Sequence, residues 1–63
     1  MSHDPYEDMV GLEVEVVEDN DDVTRGRLIS KSYNYIIVGE RILDRVVITR
    51  KHIKSLRVIE DGK

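Results

Sequence analysis

Residues 12–59 form five short apolar, β-branched runs separated by brief polar breaks, a pattern that directs the chain toward a small antiparallel sheet. The first run, Leu12-Glu13-Val14-Glu15-Val16, alternates apolar and charged residues with period two, as a strand with one buried and one solvated face requires. Leu12, Val14 and Val16 are expected to face the core. Glu18-Asp19-Asn20-Asp21-Asp22 has no apolar member and reads as a solvated connection between antiparallel strands. The second strand is expected over residues 25–31, where Gly26 marks a sharp bend or a close backbone approach. Ser32-Tyr33-Asn34 favours a tight turn into a third strand over 35–38, closed by Gly39-Glu40-Arg41. A fourth strand over 45–49 and a fifth over 53–59 are joined by the short polar connection Arg50-Lys51-His52. Ahead of them all, Asp4-Pro5-Tyr6-Glu7 reads as a helix start: Asp4 is the N-cap, Pro5 occupies the first helical position, and Glu7 stands three residues after the cap. Gly11 and the β-branched residues beyond it limit that helix to about two turns.

One short helix followed by five strands is the order of a small β-barrel, and SH3-like and OB-like forms both fit. The third and fourth strands lack the long connection in which OB-folds place a helix, which favours the SH3-like form. Sixty-three residues allow a single domain, 1–63, with residues 1–3 and 60–63 expected to be flexible ends. A chain this short buries only about 60% of the surface its unfolded form exposes, so association is expected. Without cysteine, neither disulfides nor thiolate metal sites can staple the fold. No apolar run approaches the ~18 residues of a membrane-spanning helix. Met1-Ser2-His3-Asp4-Pro5 has neither a basic nor an apolar leader pattern, so the expected location is cytoplasmic.

The net charge of −3 conceals an asymmetry. Residues 1–24 carry nine acids and no Lys or Arg, whereas residues 25–63 carry all ten basic residues and have a net charge of +6. A basic face on an acidic protein is therefore allowed, and it is the local field at a face that attracts phosphate. The same charges also suit pairing across the sheet, with Arg25, Arg27 and Lys31 of the second strand against Glu13 and Glu15 of the first. That internal pairing is the favoured reading.

Over residues 4–59 the chain resembles the Sm-like (LSm/Hfq) family. Gly11-Leu12-Glu13-Val14-Glu15-Val16 after a short helix is similar to that family's first strand, and Gly26-Arg27-Leu28 to the bend glycine and apolar residue of its second. In the loop before the third strand, Ser32 stands where the family has Asp, and Asn34 arrives about two residues early. Val46-Val47-Ile48-Thr49-Arg50-Lys51-His52-Ile53 corresponds to the second motif but lacks its Arg-Gly. Lys51-His52 resembles the Lys-His pair of bacterial Hfq, with Ser55 placed similarly to a nearby family serine. The resemblance implies a five-stranded SH3-like barrel whose fourth strand pairs with the fifth of the next subunit. It further implies a ring of five to seven subunits, with the loops before the third and fifth strands lining a pore that binds single-stranded RNA.

The residues suited to that role are Tyr33, for stacking on a splayed-out base, Asn34, for a base edge or for capping the turn, and the dense basic cluster Arg50, Lys51 and His52. Tyr35, on a strand, is better suited to covering a core edge. No metal or other cofactor is expected. The acidic run lacks the sixth-position Gly and terminal Glu of a calcium loop, and His52 has only His3 as a histidine partner. Catalysis is not expected either, because Ser30, Ser32 and Ser55 have no credible base, and Glu13 with Glu15 forms a solvated stripe. The alternatives are a protein-interaction or assembly module on the same barrel without nucleic acid, and a KOW-like or ribosome-associated SH3-like module acting as a monomer.

Overall fold

A computed structural model of the chain describes residues 4–41 and 44–59. The expected flexible ends, 1–3 and 60–63, lie outside the described residues, as does His3. The fold is all-β: β1 (Glu13–Glu18), β2 (Val23–Lys31), β3 (Tyr35–Glu40), β4 (Asp44–Thr49) and β5 (Ile53–Val58) form one antiparallel sheet in the order β4-β3-β2-β1-β5. No helix among the described residues is long and apolar enough to cross a membrane.

The sheet is open: β4 and β5 are its two edges and do not pair with each other. The closed barrel expected from the sequence is therefore corrected to an open sheet, and chain connectivity requires that sheet to curl. Four interstrand spacings of ~4.8 Å would place the edges of a flat sheet ~19 Å apart. The chain passes from β4 to β5 through Arg50–His52 alone, and such a link reaches at most ~14 Å even when extended. Two register shifts help the sheet to bend, one leaving Ile29 of β2 unpaired between Leu28 and Ser30, the other between Val17 and Glu18 where β1 meets β5. Gly26 of β2 lies at the tightest approach. A Cβ there would collide with the Gly39 carbonyl oxygen and come within 2.9 Å of the Val38 side chain, which bears out the close backbone approach read from the sequence.

Curling places the apolar alternation inside. Val14 and Val16 of β1, Leu28 of β2, Ile36 and Val38 of β3 and Ile48 of β4 are the buried core, with Tyr6, Met9, Val46, Ile53 and Leu56 packed against it. Leu12, expected in that core, is only half-buried. It precedes β1, and its backbone ties the N-terminal segment to β2: its N–H donates to the Met9 carbonyl and its carbonyl accepts from the Leu28 N–H.

The expected N-terminal helix is a 3-10 turn, Pro5–Met9, with Asp4 as its N-cap accepting from the Tyr6 N–H at 3.1 Å. Its bonds run from Glu7 N–H to Asp4 C=O and from Val10 N–H to Glu7 C=O. Five residues are too few to repay α-helix nucleation, so the tighter i→i+3 pattern prevails. A second 3-10 turn, Arg50–His52, forms the β4–β5 connection.

Candidate nucleic-acid interface

Two connections converge at one end of the sheet. In the β2–β3 turn, the Ser32 N–H donates to the Tyr35 carbonyl at 2.7 Å, which pushes Tyr33 and Asn34 outward. The β4–β5 turn is fastened beside it by a bond of 2.8 Å from the Arg50 N–H to the Asn34 carbonyl. Tyr6, Tyr33, Asn34, Thr49, Arg50 and Lys51 together line an open cleft of about 660 Å³. Four of the five residues proposed from the sequence are thus brought together: Tyr33, Asn34, Arg50 and Lys51.

His52 is placed apart from them. It lines a separate cleft of about 260 Å³ with Glu18, Asp19 and Asn20, and its carbonyl accepts from the Asp19 N–H at 2.8 Å. The 3-10 geometry of Arg50–His52 turns successive side chains by about 120°, so three consecutive residues cannot share one face.

The members of the cleft differ in how far they are already engaged. Tyr33 is 91% exposed. Lys51 is exposed and has no ion-pair partner among the described residues. Arg50, in contrast, is already engaged. Its Nη1 donates to Asp4 Oδ2 at 2.9 Å and to the Ser32 carbonyl at 2.7 Å, its Nη2 reaches Asp4 Oδ1 at 3.3 Å, and its guanidinium lies 4.4 Å from the centre of the Tyr6 ring. The same Asp4 carboxylate accepts from Lys31 Nζ at 3.0 Å. The Lys31 and Arg50 hydrogen bonds hold the Asp4 carboxyl at a pKa of about 2, against an ordinary 3.8.

The second-strand cations are used internally, although not only in the expected pairs. Arg25 does pair with Glu15, directly opposite on β1, at 2.9 Å. Glu15 also receives Arg57 of β5 at 2.7 Å, and Arg57 first, then Arg25, lowers its pKa. Arg27 faces Glu13 in register, yet its Nη1 donates to the Gly11 carbonyl. Lys31 turns to Asp4 in place of the first-strand acids.

Sequence reading missed Tyr6, Thr49 and Asp4 as parts of this site. Tyr6 and Asp4 lie 44 and 46 positions before Arg50, and no local pattern signals a contact across that separation. Thr49 offered one signal, its place immediately before the basic cluster. Among the described residues no group of His, Asp or Glu is arranged to hold a metal ion. Comparison with known proteins finds no matching family model, no matching curated protein and no matching solved structure.

Proposed function

We propose that the protein is a single-stranded RNA-binding, Sm-like protein that assembles as a homo-oligomeric ring of five to seven subunits. Tyr33 supports this reading most directly: an aromatic ring 91% exposed on a short turn, beside an amide at Asn34 and an exposed ammonium at Lys51, is a stacking platform next to a phosphate contact. Tyr33 stacks on a base, Asn34 bonds a base edge, and Lys51 and Arg50 neutralise phosphate. His52 contributes from its separate cleft with Glu18, Asp19 and Asn20. Assembly finds support in the two unpaired edges, β4 and β5, which the ring arrangement needs, and in Val47, 63% exposed on β4. Repetition around a ring multiplies a weak local field.

Light scattering with and without short oligouridine or oligoadenine tests the reading. The expected result is a closed multiple of the 7.3 kDa subunit that binds RNA. A monomer indifferent to RNA would remove both the ring and its pore chemistry.

Two observations favour a second reading, a protein-interaction or assembly module without nucleic acid. Asp4 already occupies Lys31 and Arg50, and the apolar strip of Tyr35, Ile37 and Val47 on β3 and β4 suits a protein surface. Absence of copurifying RNA, together with a stable oligomer, would select it.

A further inference from the structure

We propose that the Asp4 carboxylate is a built-in competitor for RNA phosphate, seated on Lys31 and Arg50 in the free protein and displaced when a phosphate takes those two cations. The inference rests on the RNA-binding reading of the same cleft and adds a mode of regulation to it.

The geometry around Asp4 is that of an anion site already filled by the chain itself. A carboxylate lies 3.0 Å from an ammonium and within 2.9 and 3.3 Å of the two terminal nitrogens of one guanidinium. Those donors match a phosphodiester equally well, since a guanidinium fork accommodates two oxygens of either anion. Glu7 reinforces the block from 3.9 Å, adding negative charge beside Lys31. RNA approaching the cleft therefore meets Lys51 as the uncommitted cation, while Arg50 in the cleft wall and Lys31 are both held by Asp4.

That segment is built to be released more easily than the rest of the fold. Pro5–Met9 is one short 3-10 turn with no fully buried residue, and it is joined to the sheet through Gly11, which takes a φ of +95° and has no other atom packed where a side chain would sit. Opening the segment gives up the Asp4 ion pairs and partial cover from Tyr6 and Met9, while the six buried core residues of the strands stay in place.

The test compares the wild-type chain with Asp4→Asn by fluorescence anisotropy, using a labelled oligouridine over a range of salt concentrations. Asn retains the N-cap acceptor for the Tyr6 N–H and removes the competing charge. The expected result is about three- to tenfold tighter binding at low salt, as follows if the competent state is populated about a tenth to a third of the time. The gain shrinks as salt rises, because the internal ion pairs of the wild type are screened as well. Equal or weaker binding by a folded Asp4→Asn variant overturns the competition and leaves RNA binding intact. No binding by either protein overturns both.

Wild-type protein alone provides a second readout, which holds if the variant fails to fold. The Tyr6 amide resonance, hydrogen-bonded to Asp4 Oδ1, shifts on RNA addition if the carboxylate is displaced. A Tyr6 amide that stays fixed while Tyr33 and Lys51 respond overturns the proposal.

Discussion

At the scale of single residues, exposure separates function from stability. Tyr33 projects into solvent, so Tyr33→Ala is expected to leave the melting temperature unchanged while weakening RNA binding by about 1–3 kcal/mol, the usual worth of one stacked base. A parallel loss of thermal stability would return Tyr33 to a packing role. Lys51→Ala is expected to weaken oligouridine and oligoadenine binding alike and to reduce the slope of log affinity against log salt by about one. Discrimination between the two RNAs in that titration would make Lys51 a reader of bases. Asp4 belongs to the acid limb of stability. Its folded pKa of about 2 lies below its ordinary 3.8, so the unfolded chain binds more protons between those values. Its contribution is complete above about pH 4 and is lost as pH falls through about 2; circular dichroism during acid titration should therefore show a shallower loss of structure in Asp4→Asn than in wild type. Tyr33, Asn34 and Lys51 were legible as exposed neighbours of one cleft because each sits in a short polar connection that carries its side chain to the surface. The engagement of Arg50 was not, because its counter-ion lies 46 positions away in sequence.

Among the elements, β2 carries the greatest structural demand, since it pairs on both sides while bending. Gly26→Ala forces a methyl group against the Gly39 backbone, which cannot swing aside as a side-chain tip would. A loss of about 1–3 kcal/mol in urea unfolding is expected, as for overpacked sites in general; an unchanged midpoint would mean that the two strands separate there at little cost. The need for a small residue was readable from sequence, because glycine weakens a strand interior and is found there mainly where the backbone bends or a second backbone comes close. The β1–β2 connection was also legible. Its acidic residues turn the chain through a bond from the Asp21 N–H to the Glu18 carbonyl, with Asp22 N–H donating to Asn20 Oδ1. Helical character near Asp4 was foreseen, but its 3-10 form depends on how soon the chain must leave the turn at Gly11 to enter the sheet.

For the whole molecule, the two open edges matter most. Six buried side chains among the described residues make a small core, and unpaired backbone along β4 and β5 invites pairing with further copies. If copies pair through these edges, Val47→Lys is expected to reduce the mass seen by light scattering to that of one subunit while preserving the β-sheet circular dichroism, because Val47 packs little within its own subunit. An oligomer of unchanged mass would place the contact elsewhere. The wild-type melting temperature should also rise with protein concentration, as it does whenever association stabilises the folded form.

The local pattern of the chain determined the number and order of the strands, most of the side chains that point inward and where backbones come close at Gly26, because side-chain alternation and glycine geometry act over only a few residues; strand ends shifted by one to two residues, with β2 starting at Val23 and β3 running on through Gly39 to Glu40. Tertiary structure alone decided that the sheet stays open, that Arg50 and Lys31 share one carboxylate, and that His52 parts from its neighbours. The first two depend on the curl that carries the β4–β5 connection across the sheet and on contacts between segments tens of residues apart, distances over which sequence periodicity holds no information; the third follows from the 3-10 form that the chain takes between β4 and β5.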